Sequence, residues 1–180
     1  MRWDAVQAPA DQIALARELV ERVPASGWGR RALAAASANV LSDPRGWRVV
    51  FPGGPRDAIW FVSTVSDASM KLAFTGARAS DMSAVILERL DQNRDLKPFV
   101  RQVMLFDLAH PIQALARMDR TARVMFECLA ARPTPPPRAA LIALNLAYTA
   151  IVFVWLFDRS QGDAFTRSLT PKAMRLIGLS

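Results

Sequence analysis

The sequence predicts an all-α fold, a helical bundle behind a small N-terminal head. Three observations predict it. Alanine and leucine dominate and glycine is scarce, 8 in 180 residues, a composition that favours helices. Apolar residues recur at three- and four-residue spacings in segment after segment. No run alternates β-branched and aromatic residues between Asn-Gly or Asp-Gly turns, so strands are not expected.

The elements follow in order. A first helix is expected over Pro9–Val23, with Pro9 in its first turn and Ile13, Leu15, Leu19, Val20 and Val23 as its apolar stripe. Pro24 is expected to end it. A second runs from Gly29 to Val40, with Leu33, Ala36 and Val40 inward. Ser42 or Asp43 then caps a short third helix holding Trp47, Val50 and Phe51, which "FPGG" stops. Three short helices in this order have a helix-turn-helix outline, giving a head over 1–54 and a body over 55–180. In the body, helices are expected over Pro55–Phe74, with Ile59, Trp60, Val62, Val65 and Met70 inward, and over Asp81–Gln92, with Met82, Val85, Ile86 and Leu90 inward. Pro98 and Pro111 open the next two, the second facing Leu115, Met118, Ala122, Met125, Phe126 and Leu129 inward. "RPTPPPR", Arg132–Arg138, reads as a stiff extended connection. The last element, Asp163–Leu179, is expected to break at Pro171 and to end in the basic amphipathic turn "PKAMRLIG".

Ala139–Phe157 is a run of 19 residues without a charge, long enough to cross a membrane. Asn145 and Thr149 lie mid-segment, its first half is rich in alanine, and the amphipathic helices need something to pack around. A helix buried at the centre of a soluble bundle, or at a dimer seam, is therefore the favoured expectation.

The chemistry-bearing residues are few. The single cysteine, Cys128, excludes an internal disulfide and suits a reducing compartment. On the inward side of its helix it reads as a small core residue. The single histidine, His110, leaves no His/Cys metal cluster. It reads as a capping or packing residue, with a polar role inside a lipid pocket as the functional alternative. No phosphate loop, nucleophile elbow or pair of acids on an apolar face is present, so no catalytic residue, cofactor or metal is expected. The N-terminus lacks an apolar core of signal-peptide length, and the expectation is a cytoplasmic protein.

The formal charge is +7, distributed as +2 over residues 1–60, +1 over 61–120 and +4 over 121–180. The excess lies away from the helix-turn-helix, whereas a DNA-reading head concentrates charge on its reading face. Within the head, Arg30, Arg31, Arg45, Arg48 and Arg56 still outnumber Asp43 and Asp57. The later helices carry Met104, Phe106, Met118, Met125, Phe126, Tyr148, Phe153 and Trp155. Such residues fill an ordinary core, or line an apolar cavity between helices.

The head and its continuation resemble a known family. "GW...RAL..AA" followed by "W.VVFPGG..D.I......D..M" is similar to the TetR-fold accessory proteins of ubiquinone (coenzyme Q) biosynthesis. The matching positions are Gly27, Trp28, Ala32, Leu33, Phe51, Pro52, Gly53, Gly54, Asp57, Asp67 and Met70. The likeness continues through Pro111, Asp119, Tyr148, Thr149, Leu156, Asp158, Ser160 and Thr166. It implies a TetR-like bundle, dimeric and non-catalytic, that binds isoprenoid or quinone lipids in its core. It further implies a seat on the inner membrane surface, a quinone-modifying hydroxylase as partner, and a helix-turn-helix not used on DNA. Where members carry a Trp-Tyr pair and Lys-Arg, on the surface that docks the hydroxylase, this chain has "RPTPPPRAAL", and only Arg138 survives.

From inward spacing, the expected lipid-binding residues are Trp60, Phe106, Met125, Phe126, Tyr148 and Trp155. Lys172, Met174, Arg175 and Ile177 are the expected membrane contacts, with basic groups outward and apolar groups in the interface. The alternative is a TetR-family transcriptional regulator with an apolar effector pocket, in which Arg45, Arg48 and Arg56 touch DNA.

Overall fold

The computed structural model describes residues 1–130 and 136–179. Among them the regular structure is helical: α1 (Ala10–Ser26), α2 (Arg30–Leu41), α3 (Trp47–Val50), α4 (Pro55–Ala73), α5 (Met82–Gln92), α6 (Lys97–Ala109), α7 (Pro111–Glu127), α8 (Arg138–Phe157) and α9 (Ala164–Leu176). Three single 3-10 turns cover Trp3–Ala5, Arg94–Leu96 and Gln161–Asp163. Among the described residues the β-type pairing is one isolated bridge between Ala79 and Leu129.

Two prolines do not stop their helices. Pro24 lies inside the last turn of α1, where one forgone N–H bond costs little, and the helix closes three residues later. There Gly27, at φ +69°, donates its N–H to the Val23 carbonyl at 2.8 Å. Pro171 sits within a continuous α9. The carbonyl deprived of its donor belongs to Arg167, an exposed residue, and the Thr170 hydroxyl donates to the Thr166 carbonyl at 2.8 Å. The third helix is also shorter than expected, a single turn. Residues 44–46 form a preceding turn instead, held by the Asp43 carboxylate accepting from the Arg45 N–H at 2.8 Å.

Packing divides the chain into two units, residues 1–65 with 95–114, and residues 66–94 with 115–180. This is a different division from a head over 1–54 and a body over 55–180, because both α4 and α7 run through from one unit into the other. In the first unit, Leu15, Leu19 and Val23 of α1 meet Leu33 and Ala36 of α2, Trp47, Phe51, Val62 and Phe99. The Ser37 hydroxyl ties α2 to α3, accepting from the Trp47 N–H at 2.9 Å and donating to the Asp43 carbonyl.

In the second unit α5, α8 and α9 pack on one another. Its buried interior includes Met70, Met82, Ile86, Met125, Leu144, Ile151, Trp155 and Met174. The expectation that α8 lies buried at the centre of the bundle is not met. Its inward face, Leu141, Leu144, Ile151 and Trp155, is buried at three- and four-residue spacings, but only 28% of its most apolar window is buried. The composition of α8 is apolar all round, and one apolar face is all that α5 and α9 require. Leu115, expected inward, is likewise exposed. The extended connection expected over 132–138 lies, for residues 132–135, outside the described residues. Pro137 is extended (φ −58°, ψ 140°) and leads directly into α8.

Candidate apolar site and buried charge hub

The second unit holds an apolar recess of about 440 Å³, within the size range of small-molecule pockets. It is lined by Phe126 of α7 and by the start of α8, from Pro136 and Pro137 to Ala139, Ala140 and Ala143. The alanines leave the space: three methyl groups stand where larger side chains would fill it. Ile177, Gly178 and Leu179 complete the lining. Gly178 adopts φ +71°, the left-handed cap that glycine takes at least cost. The Leu179 N–H then bonds the Met174 carbonyl at 2.9 Å and the Gly178 N–H bonds that of Arg175 at 3.1 Å. This paired helix cap turns the chain back and buries Leu179.

Elsewhere in the unit, three helices meet at one buried carboxylate and a fourth joins through Arg89. Asp67 of α4 accepts from Arg89 of α5, from the Arg120 Nε at 3.1 Å and from the Thr121 hydroxyl at 3.0 Å, both on α7. Arg89 also donates its Nε to the Tyr148 hydroxyl of α8 at 2.9 Å. Asp67, Arg89 and Thr121 are all buried. Burial works against the Arg89 cation, but Asp67 and Tyr148 outweigh it and raise its pKa above the ordinary value. Burial likewise works against the Arg120 cation; the shared carboxylate offsets this only in part, and its pKa is lowered. Two guanidiniums on one carboxylate make the hub a polar bolt through an apolar interior.

At the start of α9, burial opposes ionisation of Asp158. Hydrogen bonds from the Ser160 and Thr166 side chains and N–H groups prevail and hold its carboxyl well below the usual range.

The six residues expected to bind lipid fall in both units, two in the first and four in the second. Trp60 and Phe106 belong to the first unit. Trp60 is 42% exposed, so the inward spacing that nominated it fails. Phe106 packs against Trp28, their ring centroids 6.3 Å apart, and stacks on His110 at 4.0 Å. His110 Nδ1 lies 2.9 Å from the Phe106 carbonyl, a packed position at the end of α6. In the second unit Met125 and Trp155 are core, with the Trp155 Nε1 donating to Asp163 at 3.2 Å. Tyr148 belongs to the charge hub. Phe126 alone lines the recess.

Of the expected membrane contacts, Lys172 and Arg175 are exposed, but Met174 is fully buried. It faces the core because α9 runs on through Pro171 as one helix. Ile177 lines the recess. Arg45, Arg48 and Arg56 are exposed, with the Arg48 guanidinium 5.6 Å from the Trp47 ring centroid. Cys128 is buried, and burial pushes its thiol up to about 11. Among the described residues no group of three or more His, Cys, Asp or Glu has the placement to hold a metal.

Inward spacing could not have found the recess, since most of its lining is alanine, proline and glycine. The available signal was a proline pair running into small residues at the start of an apolar helix. The hub had a clearer one: Arg89 follows Val85 and Ile86 on the inward face of α5, and a buried cation requires a partner. No family model matches the chain, and no curated protein matches it.

Proposed function

We propose that this chain is a non-catalytic lipid-binding accessory protein. In this reading it binds an isoprenoid or quinone lipid and presents it to a modifying enzyme, as the TetR-fold accessory proteins of ubiquinone biosynthesis do. The observation that carries the reading is the recess at the start of α8, lined by apolar side chains and Gly178. Burial of apolar ligand surface there supplies affinity at roughly 25 cal/mol per Å² before ordering costs. Exposed Lys172, Arg175 and Leu176 on α9 suit a peripheral seat on an anionic membrane surface. A homodimer and a quinone-modifying hydroxylase complete the proposal, and both rest on the sequence resemblance.

The test is mass spectrometry of an organic extract from natively purified protein. A stoichiometric isoprenoid or quinone lipid, absent from a control protein prepared alike, supports the proposal. An empty extract, after lipid has also been offered, counts against it.

A regulator is the second reading, favoured by the exposed arginines Arg30, Arg31, Arg45, Arg48 and Arg56 of the first unit. The single turn of α3 offers little length to lie along a major groove. A regulator binds a palindromic duplex with steep salt dependence and loses affinity on Arg45→Ala or Arg48→Ala. An accessory protein is indifferent to those changes in duplex titrations.

A further inference from the structure

We propose that the solvent side of the charge hub binds a phosphate-class oxyanion, held by Arg120, Arg117 and the Tyr148 hydroxyl. No hub residue lines the recess, so this site stands or falls independently of the lipid reading. Charge carries the first part of the argument. Arg89 and Arg120 are both paired to Asp67, and one carboxylate balances only one of them. The side chains of Arg89 and Asp67 are 8% and 5% exposed, that of Arg120 24%. A surplus cation so far withdrawn from water is costly until a counter-charge comes to it. Arg117 lies one turn before Arg120 on α7, and residues three apart on a helix are neighbours. Burial, then the Arg89 and Arg117 cations, work against the Arg120 charge; Asp67 offsets them only in part, and the Arg120 pKa is lowered. Arg117, Arg120 and Tyr148 are the part-exposed members of the group, so an anion can reach them from water.

Hydrogen bonding carries the second part. The Arg89 and Arg120 guanidiniums and the Thr121 hydroxyl all donate to Asp67. The Tyr148 hydroxyl accepts from the Arg89 Nε at 2.9 Å, and among the described residues its own O–H meets no acceptor. A phenol whose acceptor side is taken by a cation is left as a donor. A planar guanidinium fork beside a donor hydroxyl suits the separate oxygens of one oxyanion. Water would accept from the hydroxyl but brings no charge. Chloride brings the charge but not the several oxygens that a fork and a hydroxyl bind together.

The experiment is calorimetric titration of the full chain with inorganic phosphate and, separately, with glycerol 3-phosphate, at an ionic strength held constant with sodium chloride. Saturable binding of one equivalent is expected for at least one of them. Glycerol 3-phosphate binding as tightly as phosphate, or more so, assigns the site to a phosphomonoester; binding of phosphate alone assigns it to the free ion. Arg120→Gln keeps the Asp67–Arg89 pair and is expected to weaken binding at least tenfold. Tyr148→Phe removes one hydrogen bond to a charged group and is expected to weaken it about tenfold. Arg117→Gln, at a part-exposed position, is expected to weaken it about threefold, and it decides the matter should either of the other two fail to fold. Arg159→Gln, an exposed arginine of the same unit, leaves the affinity unchanged. Absence of saturable binding by the wild type overturns the site. So does unchanged affinity in Arg117→Gln and Arg120→Gln, or equal weakening by Arg159→Gln, since only general positive charge is then at work.

Discussion

The charge hub gives the sharpest test of how the second unit is held together. Asp67→Ala removes the one carboxylate shared by Arg89, Arg120 and Thr121. It leaves the buried Arg89 cation with the Tyr148 hydroxyl but no counter-charge. Breaking a buried ion pair from one side costs about 3–5 kcal/mol, a large share of the ~5–15 kcal/mol that stabilises a protein. At ~2.1 cal/mol/K of unfolding entropy per residue, a chain of this length has ~0.38 kcal/mol/K, so the cost lowers Tm by about 8–13 °C. The assay is thermal unfolding by circular dichroism, with urea titration to check that m is unchanged. Asp67→Leu/Arg89→Met replaces the fully buried pair with apolar volume and leaves only the part-exposed Arg120 without its carboxylate, so it should recover at least half of the loss. A loss under about 1 kcal/mol for Asp67→Ala, or a double variant as unstable as the sum of its singles, would refute the reasoning. The hub would then contribute no more than an exposed pair.

Asp158 predicts a pH dependence. Its folded pKa is depressed, so its stabilisation is complete above the unfolded carboxylate value of about 3.9 and is lost as pH falls toward the folded value. Asp158→Asn should flatten the fall of Tm between about pH 5 and pH 2, and equal slopes in the two proteins would contradict this. Cys128 should label with a thiol reagent only at the rate of unfolding, because its side chain is buried away from the reagent; prompt labelling of the native protein would count against its burial. Gly178→Ala forces a side chain into the left-handed region and should cost about 1–2 kcal/mol. It should also weaken apolar ligands, since Gly178 and Leu179 line the recess. Lys172→Glu/Arg175→Glu should lower co-sedimentation with anionic vesicles while leaving binding to neutral vesicles unchanged; equal loss on both would exclude an electrostatic contact.

The sequence and the structure agree best where one residue type does one job. The helix bounds of α2, α4 and α5 and the start of α7 agree to within about two residues, because the proline starts of α4 and α7 and a three-four apolar rhythm point the same way. They part where a local signal is weighed against packing. Pro24 and Pro171 are helix breakers in isolation and are tolerated where the helix is ending or the affected carbonyl belongs to an exposed residue. Trp60 and Leu115 follow an inward rhythm on helices whose apolar arc is wider than the face the core can cover. Spacing also groups Phe106 with Trp155, although the chain places them in different units, and no periodicity within a helix carries that information. The recess was hidden for the opposite reason. Its lining is small and glycine-bearing, so the space comes from what is missing at Ala139, Ala140 and Ala143.

The interleaving of the two units sets an order on synthesis. The first unit's interior takes Phe99, Val100 and Val103 from the segment after residue 94. Forty-nine residues, 66 to 114, separate the end of its first segment from the end of its second. At roughly 5–20 residues per second a ribosome needs about 2.5–10 s to deliver them. Through that interval the apolar faces of α1 and α2 wait for α6, and the nascent chain has reason to be met by a chaperone before its first half can close.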